Sequence, residues 1–190
     1  NLQKRILTSV IILPLSIFFV VKGGYFLTFF LFFILFAGLH ELISSFKKIT
    51  NILFLCSILI LSLCSIYYLR ESSQDSKFLL YFVIALCISS DIGGYVFGKI
   101  FKWRKLTKIS PKKTISGVFG SYFFSLICYV VFLEVYFHES KIHLEGFLLT
   151  IIFSTIAQFG DLTISYFKRL EKIKDTGKIL PGHGGILDRI

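Results

Sequence analysis

Hydrophobic residues fall along this chain in six long runs parted by short polar stretches. They are Ile6–Val21, interrupted by Pro14, then Tyr25–Leu39, Ile52–Leu69, Phe78–Phe97, Ile115–Phe137 and Phe147–Phe167. Most approach the roughly 20 residues a helix needs to cross a bilayer core. Lipid offers no water to backbone amides and carbonyls, so such runs predict helices. The strict apolar–polar alternation of a membrane β-barrel is absent. The second run is short, and Gly23-Gly24 stands before it. That pattern predicts a tight hairpin of the first two spans, or a re-entrant or tilted pair. Lys4 and Arg5 precede the first run without a clear small-residue cleavage site, and five more runs follow it. It therefore reads as a retained span and not as a cleaved signal.

The polar stretches orient the runs. With six spans, Lys22, Arg70, Lys77 and Lys141 fall on one side, and the other 17 of the 21 Lys and Arg residues on the opposite side. Basic loops stay cytosolic, so both termini are expected there. An odd number of spans would spoil the split. The expected architecture is all-α: a polytopic transmembrane bundle of about six spans. Polar cytosolic loops, 99–114 and 168–190, hold most of the polar chemistry and are where an active site is expected. Residues 1–190 read as one integral membrane domain, with N-terminal spans in 1–77 and a catalytic part in 78–190.

Composition supports this. Of 190 residues, 55% are hydrophobic and 23 are Phe, and the mean hydropathy is +0.78, more apolar than soluble domains of this length. The formal charge of +10 suits anionic lipid surfaces and anionic ligands. Nucleic acid is not expected as a partner, because the basic residues are divided among apolar spans. Cys56, Cys64, Cys87 and Cys128 all lie in apolar runs without CxxC or zinc spacing, and read as small buried hydrophobes.

Two acids stand where spans should be apolar. Asp91 lies in Ser89-Ser90-Asp91-Ile92-Gly93-Gly94 and Asp161 in Gln158-Phe159-Gly160-Asp161-Leu162. A carboxylate at depth is costly unless paired, hydrated or metal-bound, which makes both functional candidates. The plainer reading is snorkelling or helix pairing. Spans four and six run the same way, so both acids approach the face that bears the basic loops.

Lys99, Lys102, Arg104 and Lys105, with Trp103, read as interfacial anchoring. That does not account for Ser110-Pro111-Lys112-Lys113-Thr114, where a turn precedes two lysines, a hydroxyl and a helix start. Lysines and hydroxyls at a helix N-terminus make a phosphate site. The C-terminal stretch is richer. Lys168-Arg169, Lys174-Asp175-Thr176-Gly177 and Leu180-Pro181-Gly182-His183-Gly184-Gly185-Ile186-Leu187-Asp188-Arg189 place acids, cations and glycines together. A metal–nucleotide phosphate site needs that mixture: carboxylates for Mg²⁺, cations and backbone N–H groups for phosphate oxygens. The plain alternative is a solvated, glycine-rich tail.

The stretch Ser165–Ile190 resembles the signature of bacterial phosphatidate cytidylyltransferases (CDP-diglyceride synthases), S-x-x-K-R-x4-K-D-x-G-x2-L-P-x-H-G-G-x-x-D-R. Ser165, Lys168, Arg169, Lys174, Asp175, Gly177, Leu180, Pro181, His183, Gly184, Gly185, Asp188 and Arg189 all match it. Asp91–Tyr95, Ser110–Thr114 and Gly160–Leu162 extend the resemblance over roughly the C-terminal hundred residues. The resemblance implies transfer of the cytidylyl group of CTP to phosphatidate, giving CDP-diacylglycerol and pyrophosphate. It implies Mg²⁺ on Asp161 and Asp188, a second cation such as K⁺, and Lys113 and Lys168 near phosphates. His183 and Lys168 join the two aspartates as catalytic candidates. Ser110, Lys112, Lys113, Thr114, Arg169, Lys174, Asp175, Gly184, Gly185, Arg189 and Asp91 are the substrate-binding candidates. A bacterial inner membrane, contact with membrane lipids and a homodimer are also implied. Two departures stand out: relatives carry Glu where this chain has Ser116 and Ile164. The family pattern also runs on past the position of Ile190.

Two rival functions remain at this level. A CTP-dependent lipid kinase would need a base for a hydroxyl nucleophile, in His183 or Asp175. A non-catalytic membrane protein would bind nucleotide or anionic lipid. A transporter explains the intramembrane acids but not the glycine-histidine segment.

Overall fold

The computed structural model describes residues 2–107, 110, 113–138, 141–173, 175–177 and 184–188, except the side chains of residues 2–9 and 13. The architecture is all-α, with no strand among the described residues. Among the described residues, six α-helices follow in order: α1 Leu2–Lys22, α2 Gly24–Ser45, α3 Ile49–Glu71, α4 Gln74–Phe101, α5 Ile115–Phe132 and α6 Leu144–Leu170. A π-helical turn, Leu133–Phe137, continues α5. Helices α2, α3, α4, α5 with its π-turn, and α6 are long and apolar enough to cross a membrane. The apolar part Val10–Lys22 of α1 is shorter. The chain is a multi-pass membrane protein. Exposed Phe29, Phe36 and Leu61 fit a lipid-facing surface.

The chain divides into two compact units, Asn1–Lys77 with Phe167–Ile190, and Phe78–Tyr166. In the first unit, α1 and α2 are joined through Gly23 alone, and Gly23 and Gly24 both have positive φ. The connection is a tight hairpin, one of the arrangements the sequence left open. Phe19 stacks on Phe30 across it, with ring centroids 4.8 Å apart. The end of α3 clasps the hairpin. Arg70 Nε and Nη2 donate to the carbonyls of Val20 (2.7 Å) and Val21 (2.6 Å), while Gly24 N donates to Glu71 Oε1 (2.8 Å). A cation on the final carbonyls of α1 and an anion on the first amide of α2 complement both helix dipoles.

Helix α2 extends beyond the Leu39 end of its hydrophobic run to Ser45. His40, Glu41, Ser44 and Ser45 ended the apolar pattern without ending the helix. The extension bears on the site, because it carries Glu41, only 1% exposed.

In the second unit, α4 and α5 cross where their backbones nearly touch. A Cβ on Gly93 would collide with the carbonyl of Gly120, and one on Gly120 with the carbonyl of Gly93. Close approach through small residues is how membrane helices gain packing without a hydrophobic drive. Serines then join α4, α5 and α6. Ser121 Oγ donates to Ser90 O (2.8 Å), Ser125 Oγ donates to Ser154 Oγ (3.0 Å), and Ser90 and Ser154 hydroxyls meet at 3.3 Å. All four are buried. Further along, Phe82, Leu86, Tyr129 and Leu133 form an apolar cluster with Phe132, Phe147 and Phe153 packed on it.

Candidate active site

The candidate residues are built into both units. In the second unit, the segment entering α5 is held by an antiparallel bridge between Lys105 and Thr114. Lys113 N donates to Ser110 O (3.0 Å), and Ser110 N to Thr107 Oγ1 (3.2 Å). Helix α5 starts where the sequence predicted. Thr114 is its N-cap, with Oγ1 accepting from Gly117 N at 3.1 Å, so that hydroxyl satisfies one orphan amide of the first turn. Ser116 is buried with its hydroxyl 3.1 Å from Thr114 Oγ1.

This cap aims Lys113 at α6. Its Nζ lies 2.9 Å from Asp161 Oδ2 and 3.4 Å from Gln158 O. Asp161 remains 58% exposed at its side chain, so the lysine leaves much of the carboxylate open. Asp91, exposed on α4, interacts electrostatically with both Asp161 and Lys113. Two acids and one lysine of the sequence-derived set are therefore gathered in this unit. Lys112 lies outside the described residues.

In the first unit, Asp188 is enclosed. Its Oδ1 accepts from Lys168 Nζ (2.7 Å), and its Oδ2 from Thr176 N (2.9 Å) and Gly185 N (3.0 Å). Burial pushes its carboxyl up, but the Lys168 hydrogen bond, the Gly185 and Thr176 amides and the Lys168 charge outweigh it. The net result lies below the ordinary carboxylate value. Asp188 thus closes the turn on itself and ties it to the end of α6. Gly184, at φ +94, sits where a Cβ would press on Asp188 Oδ2 and the Asp175 side chain. Arg169 Nη1 donates to Ile173 O (3.2 Å), and Asp175 is exposed. His183, Lys174 and Arg189 lie outside the described residues.

Sequence reasoning missed Glu41. Its Oε1 accepts from Ile186 N (2.8 Å), and its Oε2 from Leu187 N (3.0 Å) and Thr176 Oγ1 (3.4 Å). A signal was present. An acid closing an apolar run is the same anomaly that singled out Asp91 and Asp161.

The donor chemistry suits a hard cation. Mg²⁺ takes one or two carboxylates and fills its shell with water and phosphate oxygens, and the half-open Asp161 carboxylate is such a donor. Among the described residues no group of three His, Cys, Asp or Glu side chains forms a cage.

Comparison with known proteins agrees with the signature. The profile of the cytidylyltransferase family matches residues 44–190. The chain belongs to this family. A phosphatidate cytidylyltransferase of Rickettsia typhi is 35% identical over 201 residues, an alignment spanning 100% of this chain and 86% of the relative. One from Staphylococcus haemolyticus is 42% identical over 125 residues (65% of this chain, 47% of the relative). One from Rickettsia prowazekii is 43% identical over 132 residues (65% and 56%). The chain thus spans about half the length of those last two. These matches lend no support to a lipid kinase or a non-catalytic protein.

Proposed function

We propose that this member of the cytidylyltransferase family transfers the cytidylyl group of CTP to phosphatidate, giving CDP-diacylglycerol and pyrophosphate. The match to R. typhi phosphatidate cytidylyltransferase along the whole chain carries this reading. A phosphatidate oxygen attacks the α-phosphorus of CTP. The new P–O bond forms as the bond to the β-phosphate bridging oxygen breaks, and pyrophosphate leaves. The second pKa of a phosphate monoester is about 6, so the nucleophile is already anionic and no strong base is required. Repulsion between the two anions is the obstacle.

The residues answer that obstacle with charge. Lys113, Lys168 and Arg169 supply positive field for phosphates, with Lys112, Lys174 and Arg189 as further candidates by resemblance. Backbone amides at Gly184 and Gly185 and the exposed Asp175 belong to the same signature, as does His183. By resemblance, Asp161 and Asp188 are the candidates to hold Mg²⁺, with a second cation such as K⁺. When bound, Mg²⁺ neutralises the triphosphate and polarises the α-phosphorus. The diacyl tails remain in the bilayer while the headgroup meets CTP at a cytosolic face. The reading includes six spans, cytosolic termini, a bacterial inner membrane and a homodimer.

The test is a lipid assay on purified protein with phosphatidate, Mg²⁺ and CTP labelled at the α-phosphate. Label in CDP-diacylglycerol that disappears with EDTA is the expected result. Transfer of γ-label instead would establish a kinase, and no transfer by folded protein would overturn the assignment.

A further inference from the structure

The last turns of α2 present Gly38, Glu41 and Ser45 at spacings of three and four residues, which places them on one helix face. All three meet the C-terminal segment within the first unit. Leu187 packs against Gly38, where a Cβ would stand 3.4 Å from Leu187 Cδ2. Ser45 Oγ donates to the carbonyl of Thr176. Glu41 is the centre of the contact. Its two oxygens accept from the consecutive amides of Ile186 and Leu187 and from the Thr176 hydroxyl. Gly177 and Gly185 lie so close that a Cβ on either would strike the Glu41 carboxyl.

A buried carboxyl group is costly to desolvate and is kept only where its oxygens are hydrogen-bonded. Here every partner among the described residues is in the signature segment, whereas Glu41 itself lies some 140 residues earlier in sequence, as the separations of 145 and 146 to Ile186 and Leu187 show. The same short segment presents Thr176 N and Gly185 N to Asp188. Glu41 and Asp188 therefore grip one turn from two sides, and only Asp188 lies in the signature.

We infer that Glu41 is a positioning residue: it fixes the 184–188 turn on the end of α2 and so sets where Asp188 and its Lys168 partner stand during cytidylyl transfer. The inference rests on the function proposed above. Glu41→Gln is nearly isosteric, but its amide must face an N–H or O–H donor with a donor of its own, stranding at least one. Gly185→Ala attacks the same contact from the other side.

The experiment uses the full chain in detergent or bilayer. Hydrogen exchange is followed in the C-terminal segment and in α5, alongside steady-state kinetics with CTP and phosphatidate. In Glu41→Gln, the 184–188 amides should exchange about ten-fold faster or more, the shift that loss of one charge-assisted bond produces, with α5 unchanged. The apparent KM for CTP should rise several-fold while that for phosphatidate holds. A merely structural lesion would lower kcat with the folded fraction and leave both KM values alone. Gly185→Ala should give the same pattern, and the double variant should add little to either single one. Unchanged exchange in Glu41→Gln would overturn the inference, and so would faster exchange with both KM values intact. If the wild-type protein itself makes no CDP-linked lipid, the proposed reaction fails, and exchange alone then decides whether Glu41 holds the turn.

Discussion

Lys113 Nζ stands 2.9 Å from Asp161 Oδ2, joining the segment that enters α5 to the later part of α6. The side chains are 28% and 58% exposed, and ion pairs so open contribute only about 0–1 kcal/mol to stability. The pair is therefore poorly explained as a structural strut. Lys113→Ala should barely move Tm and should lower cytidylyl transfer ten-fold or more, measured by lipid labelling and thermal unfolding of one preparation. An activity loss matched by a large Tm loss would return the pair to a structural role.

Asp161→Asn keeps shape and removes charge. Asp161 would act by holding the Mg²⁺ that offsets phosphate charge, and loss of one such preorganised electrostatic element typically costs about 10²–10³ in rate. We expect a fall of that size, with a wild-type elution profile and Tm. Wild-type-like turnover in the folded variant would remove Asp161 from the metal assignment.

Lys168 contrasts with Lys113. Its side chain and that of Asp188 are only 16% and 6% exposed, so removing the cation leaves an enclosed carboxylate with two amides and, among the described residues, no cation hydrogen-bonded to it. Lys168→Met should loosen residues 175–177 and 184–188 by about 1–3 kcal/mol, read as faster local exchange, whereas Lys113→Ala should leave exchange there unchanged.

Much of this was legible in sequence because membrane helices write themselves as apolar runs. The runs Ile115–Phe137 and Phe147–Phe167 and the Thr114 helix start needed no correction beyond a few residues. Helix α2 was harder to bound. Hydropathy fell at His40-Glu41, yet the backbone stays helical because Glu41 finds amide donors from far along the chain, which no local pattern records. The Arg70–Glu71 clasp and the serine network were hidden for the same reason: each depends on which helices meet. Gly93 was noticed only as part of a resemblance, while the structure gives it a packing reason.

That packing reason is testable. A Cβ at Gly93 would meet the carbonyl of Gly120, which is backbone and not a side chain able to swing aside. Overpacking of this kind costs about 1–3 kcal/mol. Gly93→Ala should lower Tm clearly. Gly94→Ala, whose nearest neighbour is the rotatable Ser121 hydroxyl at 2.8 Å, should lower it less. Equal effects would mean that α4 and α5 part without strain.

The acid limit of the C-terminal turn follows from Asp188. Its folded-state carboxyl lies below the ordinary value, which is about 3.9 in an unfolded chain. A group depressed on folding binds fewer protons when native, so its stabilisation is complete above the unfolded value and is lost as pH falls through the folded one. Protection factors of the 184–188 amides should hold steady from pH 7 to about 4 and drop only below that. Lys168→Met removes two of the influences that lower this carboxyl and keeps the burial that raises it. In that variant the drop should move to higher pH. If wild-type protection already declined between pH 6 and 5, the Lys168–Asp188 pair would not be what holds the turn.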